Sequence, residues 1–208
     1  MLLNEIISAV LQLGFVLIIC ALAWLVFARR RSGFRAWIGL TAPTPASMGW
    51  ALVLFAGWSV ISSALYFLPA FTALAGGTGT VAGQLSEHGF SAELVAVILV
   101  IALIKTGLSE EILFRGLIGK RLIGWLGFWT GNTLQAVLFG AIHLAVFLVP
   151  GGPSFSWMLA GLLVAGPGAA GWIMGFANEK LGNGSIAPGW LIHGLGNAVS
   201  YPVLAFLV

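Results

Sequence analysis

Three short stretches hold side chains whose types and spacing can do chemistry. SEEILFRG sets Glu110 beside Glu111, with Arg115 four residues beyond the second acid. FGAIH ends on His143, and HGLGN separates His193 from Asn197 by four residues. Residues four apart on a helix occupy neighbouring turns of one face, so Glu111 meets Arg115 while Glu110 points about 100° away. That division leaves Glu110 to face a polar cavity and accept a proton from water. Glu111 orients or neutralises Arg115 through charge-assisted hydrogen bonds. Arg115 is an organiser and not a base, because guanidinium keeps its proton. Phe139 can pack against His143 and restrict its rotamer, while His193 and Asn197 present an imidazole and a carboxamide to one small volume.

Hydrolysis is the reaction these groups suit. A carboxylate together with His143 polarises water for attack on a peptide carbonyl, and His193 with Asn197 stabilises the developing oxyanion. Zinc chemistry is a second reading, with His143, His193 and Glu110 as a His2Glu ligand set and water in the open position. The chain lacks HExxH, in which one helix carries two histidine ligands and the base. A structural reading competes with both: acids at the membrane interface, bases that snorkel, and histidines that merely bond neighbouring helices.

The elements that must position these groups are membrane helices. Of 208 residues 60% are hydrophobic and only 7% charged, against roughly 25% charged in an ordinary soluble domain. A small soluble fold must cover itself with polar side chains, whereas a lipid-facing surface needs none. The formal net charge is +3, but the basic residues flank apolar runs, which reports membrane orientation and argues against nucleic-acid binding. Cys20 is the single cysteine, so an intramolecular disulfide and a multi-cysteine metal site are excluded. Burying Glu110 and Glu111 at a helix centre costs about 2.5–3.5 kcal/mol each on insertion scales, so a compensating partner is required.

Apolar runs place spans over residues 6–27, 50–68, 129–149, 155–178 and 190–206. The first is expected to be retained and not cleaved as a signal peptide, because Glu5 precedes it and Arg29, Arg30 and Arg31 follow. Residues 92–123 allow two arrangements. One is a full span to Leu108 followed by a short re-entrant or tilted helix that Ser109 has the chemistry to cap; the other is a single long helix bent near Gly107. Pro69 and the Gly76, Gly77 and Gly79 cluster break the pattern after the second span. The pairs Gly127/Gly131 and Gly171/Gly175 allow close helix crossing. The expected fold is an all-α polytopic transmembrane bundle of about six to eight membrane helices, counting the short or re-entrant one. It forms a single domain over residues 1–208, with the motif-bearing core over about 105–208. Arginine placement puts the 29–35 connection in the cytoplasm, the 76–90 segment across the membrane and the N-terminus outside.

In their joint order the three motifs resemble the CPBP family of intramembrane proteases, also called the CAAX protease and bacteriocin-processing family or Abi family. Glu110, Glu111 and Arg115 match its EExxxR, Phe139 and His143 its FxxxH, and His193 and Asn197 its HxxxN. The resemblance covers the chain from Lys105 onward; the earlier spans resemble the family in hydropathy alone. It implies an all-helical membrane core and an endopeptidase that cuts a membrane-associated protein or peptide within or near the bilayer. Membrane lipid is the surrounding partner and a bacterial cytoplasmic membrane the expected location. Family members are often labelled metalloproteases, yet the motifs also fit activation of water by Glu110 and His143, with no cofactor required. That is the preferred mechanism here. The non-enzyme alternative is a membrane immunity or peptide-binding protein that uses the same cluster to hold helices. A transporter is disfavoured because the chain shows no paired repeat.

Overall fold

In the computed structural model, which describes residues 1–75 and 77–207, the chain is all helical. Gly76, part of the expected breaker cluster, lies outside the described residues. The helices are α1 (Leu2–Phe27), α2 (Phe34–Trp37), α3 (Pro45–Tyr66), α4 (Pro69–Ala75) and α5 (Val81–Ser86), followed by α6 (Ala92–Leu126), α7 (Phe128–Leu148), α8 (Trp157–Leu181) and α9 (Ala187–Phe206). Their starts follow from local chemistry. Thr44, Thr80, Ser91 and Ser156 accept hydrogen bonds from first-turn N–H groups of α3, α5, α6 and α8, satisfying donors that have no partner inside the helix. Pro45 opens α3, where its missing N–H takes nothing from the ladder.

Among the described residues five helices are long and apolar enough to cross a membrane: α1, α3, α6, α7 and α8. Large apolar side chains such as Leu11, Phe15, Val26, Val60 and Ile61 are exposed along them, an arrangement that only lipid as solvent accommodates. The protein is an integral membrane protein.

Residues 92–126 settle into the second of the two expected arrangements. They form one helical run of 35 residues with no re-entrant segment. It is wound with wider, π-type turns over Val100–Leu108 and Glu111–Gly119. Ser109 caps nothing: its hydroxyl is buried and donates to the carbonyl of Ile104 at 3.2 Å. At about 1.5 Å per residue a run of this length exceeds the roughly 30 Å hydrocarbon thickness, so α6 must tilt or project beyond it. Glu110 and Glu111 fall near its midpoint. The segments Pro69–Ala75 and Val81–Ser86 are helical despite the nearby glycines and proline, because Pro69 begins α4 and Thr80 caps α5.

The two ends of the bundle are tied by specific bonds. At one end Arg121 donates to the Trp37 carbonyl at 2.7 Å and lies over the Trp37 ring, Lys120 pairs with Glu179 at 2.8 Å, and Ser185 donates to the Thr41 carbonyl at 2.8 Å. At the other end the Gly79 N–H donates to Gly151 at 2.9 Å and the terminal amine pairs with Glu93 at 3.3 Å. Within the span, Lys105 pairs with Glu5 of α1 at 2.8 Å.

Helices α6 to α9 meet around Phe114, Phe139, Met174 and Ile192, all buried. Gly171 and Gly175 lie against α7, where a Cβ on Gly171 would come 3.0 Å from Phe139 and 2.8 Å from Arg115. Gly131 packs on Ile123, whereas Gly127 makes the turn between α6 and α7 with φ 76°. A second close approach joins α6 to α9: a Cβ on Gly107 would lie 3.4 Å from the Cα of Gly194. Side chains flanking these glycines can therefore bond directly across the two helices.

Candidate active site

Glu111 is the buried hub of the cluster. One carboxylate oxygen lies 3.0 Å from Nη1 of Arg115 and 3.3 Å from Nδ1 of His193. The other accepts from Nδ2 of Asn178 at 3.4 Å, and Oδ1 of Asn178 in turn accepts the Gly189 N–H at 2.7 Å. Glu111 and Arg115 have side-chain exposures of 0% and 2%, which rules out the interfacial, snorkelling arrangement for this pair. The guanidinium N–H groups are not directed along the line to the carboxylate, so the attraction is coulombic, strengthened by the low dielectric. Arg115 also lies over the Phe139 ring, 4.0 Å from its centroid, a second compensation for its charge.

Phe139 does more than pack beside His143. Its ring meets His143 at 5.0 Å and His193 at 5.6 Å between centroids, edge to face in both cases. Its carbonyl holds His143 as well, 2.8 Å from Nδ1. A carbonyl oxygen only accepts, so Nδ1 carries the proton and a neutral His143 has its lone pair on Nε2. His193 is held in the same way: its Nδ1 lies 3.3 Å from the Glu111 carboxylate, which accepts from it. Both rings are thereby fixed in orientation through Nδ1, leaving Nε2 for chemistry.

Glu110 stands apart from Glu111. Its side chain is 28% exposed and its carboxylate lies 3.8 Å from Nε2 of His193. Glu110, His143, His193 and Asn197 all line one cavity of about 720 Å³, whose remaining wall is mostly apolar, with Trp58, Phe71, Leu163, Met174 and Leu204, and also carries Ser62, Thr80 and Ser200. The volume far exceeds the roughly 30 Å³ of one water. Of the six motif residues with polar groups, four therefore face this space. The remaining two, Glu111 and Arg115, sit behind them. The expected facing of Glu110 and His143 takes the form of a shared cavity, while the nearer ionic contact of Glu110 is with His193.

The motifs omit three polar residues that the packing brings in. Asn178 is buried near the end of α8 and bridges Glu111 to the first turn of α9. Thr106 accepts from Nδ2 of Asn197 at 2.9 Å, and the Tyr201 hydroxyl lies 3.3 Å from the same oxygen. Thr106 precedes Glu110 by four residues and Tyr201 follows Asn197 by four. That helical spacing was the available signal.

The zinc arrangement fits poorly. Among the described residues no three His, Cys, Asp or Glu side chains form a group able to hold a metal ion, and His143, His193 and Glu110 are not gathered around a common point.

A family described as type II CAAX prenyl endopeptidase Rce1-like has a model that matches residues 92–199, just over half of the 208 residues. The match reaches back to the start of α6 and includes all three motifs. No curated protein and no solved structure matches the chain.

Proposed function

The chain belongs to the Rce1-like family of type II CAAX prenyl endopeptidases, and on that premise we propose that it hydrolyses a peptide bond in a membrane-embedded protein or peptide at the cavity beside Glu110. The observation that carries the reading is the division of the paired acids. Glu110 faces the cavity with His143, His193 and Asn197, while Glu111 is buried against Arg115, His193 and Asn178. In this reading Glu110 takes a proton from water as the oxygen attacks the scissile carbonyl, and Nε2 of His143 aligns that water. The oxyanion receives hydrogen bonds from Asn197 and from His193, whose imidazolium form carries protons on both ring nitrogens. The proton on Glu110 then passes to the leaving amine, which completes the hydrolysis. Glu111 and Arg115 orient the groups that react.

The apolar wall of the cavity suits a lipid-modified or strongly apolar segment next to the scissile bond. The whole described chain is one membrane domain in this reading, and α9 is a sixth crossing. It has the length, at 20 residues, but His193, Asn197 and Pro202 dilute its apolar character. The end that carries Arg29, Arg30, Arg31, Arg35, Lys120, Arg121 and Lys180 faces the cytoplasm, and the N-terminus lies outside. The test is cleavage of farnesylated and unmodified CAAX peptides by protein in proteoliposomes in H₂¹⁸O, read by mass spectrometry. One ¹⁸O in the new carboxylate supports hydrolysis. Tight peptide binding with no bond broken in either peptide would favour a peptide-binding protein instead.

A further inference from the structure

Asn197 has one amide nitrogen and one amide oxygen, and only the nitrogen can serve an oxyanion. Something must set which of the two faces the cavity. The hydroxyl of Thr106 donates its one proton to the Ile101 carbonyl at 2.9 Å, an i−5 bond that the π-type winding of α6 makes available. Its oxygen can then only accept, and it accepts from Nδ2 of Asn197 at 2.9 Å. A flipped Asn197 would set a carbonyl oxygen against an oxygen with no proton left to give. The Tyr201 hydroxyl, 3.3 Å from the same Thr106 oxygen, fills its remaining acceptor direction. Gly107, next to Thr106 in the chain, and Gly194, three residues before Asn197, bring α6 and α9 close enough for this direct bond.

We propose that Thr106 is a positioning residue for the reaction: it fixes the carboxamide of Asn197 so that the second N–H of its Nδ2 group points into the cavity at the oxyanion. Thr106 does not line the cavity and acts through Asn197. The proposal rests on the reading of Asn197 as an oxyanion donor.

The test is a cycle of Thr106→Val, Asn197→Ala and the double variant, with Thr106→Ser as the conservative control. Each is reconstituted in proteoliposomes and assayed on an internally quenched farnesylated CAAX peptide. Valine keeps the shape and removes the hydroxyl. Thr106→Val is expected to lower kcat about tenfold or more at unchanged KM, less than the roughly 10²–10³-fold loss on removing an oxyanion donor outright. Thr106→Ser is expected to stay within about threefold of wild type, and Thr106→Val should add less than about twofold once Asn197 is alanine. If Asn197→Ala is impaired while Thr106→Val turns over at the wild-type rate, the positioning role is wrong and the oxyanion reading stands. If Asn197→Ala itself keeps full activity, the oxyanion reading fails and the positioning role with it. Multiplicative losses in the double variant, or a Thr106→Ser as impaired as Thr106→Val, would also overturn the proposal.

Discussion

Nδ1 of His193 lies 3.3 Å from the carboxylate of Glu111, while Nε2 of the same ring lies 3.8 Å from Glu110. One imidazole thus touches both members of the acid pair, one through each nitrogen. The contact with Glu111 is buried and shared with Arg115 and Asn178; the contact with Glu110 opens on the cavity. Adjacent carboxylates that look equivalent in sequence are separated by environment into one buried against Arg115 and one that faces the cavity.

Glu111→Gln should therefore damage the fold, where Glu110→Gln does not. Removing the Glu111 charge leaves Arg115 buried without its counter-ion, and breaking a buried pair from one side costs about 3–5 kcal/mol. Thermal unfolding in detergent should show a markedly lower midpoint for Glu111→Gln and a near-native one for Glu110→Gln. Equal midpoints would mean that the two acids do not divide the roles in this way.

Gly189→Ala probes the same hub from α9. The added Cβ would lie 2.6 Å from both the Glu111 carboxylate and the Asn178 amide, so one of them must shift. Turnover is expected to fall at least about tenfold, because small misplacements in an aligned site are costly. Asn178→Ala removes the bridge and should destabilise by about 1–3 kcal/mol through the unpaired Gly189 N–H and the carboxylate. Wild-type kinetics for both variants would exclude Asn178 and Gly189 from the support of Glu111.

Much of this arrangement is legible in the sequence, and the remainder is hidden for physical reasons. Glu111 and Arg115 are four apart on one helix, so their pairing follows from helical phase. The spans over α1, α3, α7 and α8 follow from apolar runs bounded by arginines, glycines and prolines. The continuity of α6 does not: Gly107 and Ser109 look like a break, and nothing local announces i→i+5 winding that absorbs them. Asn178 carries no periodic signal, because its partner Glu111 lies 67 residues away; Thr106 shares the helical spacing of Glu110, but its bond to Asn197, 91 residues away, is made only by packing. The cavity is likewise a product of packing, since its walls come from helices distant in the chain.

Topology gives an independent prediction. With Cys20, buried in α1, replaced by alanine, single cysteines at Arg31 and Glu87 should react with a membrane-impermeant maleimide from opposite sides of sealed vesicles. Labelling of both positions from one side would contradict the assignment of the two ends.

Treatment with 1,10-phenanthroline or EDTA should leave the cleavage rate of purified protein unchanged, because the derived steps use only Glu110, His143, His193 and Asn197. Loss of activity on chelation and its stoichiometric return with zinc would replace the mechanism while leaving the reaction class intact.

The most direct test of the central claim is the single-turnover cleavage rate of Glu110→Gln in proteoliposomes, measured beside peptide binding and thermal stability. Glutamine preserves the size of the side chain and removes its ability to accept a proton from water. The account predicts a fall of at least about 10²-fold, in line with loss of a general base, with peptide affinity and the unfolding midpoint close to wild type. A folded Glu110→Gln protein that cleaves the same bond at the wild-type rate would contradict it.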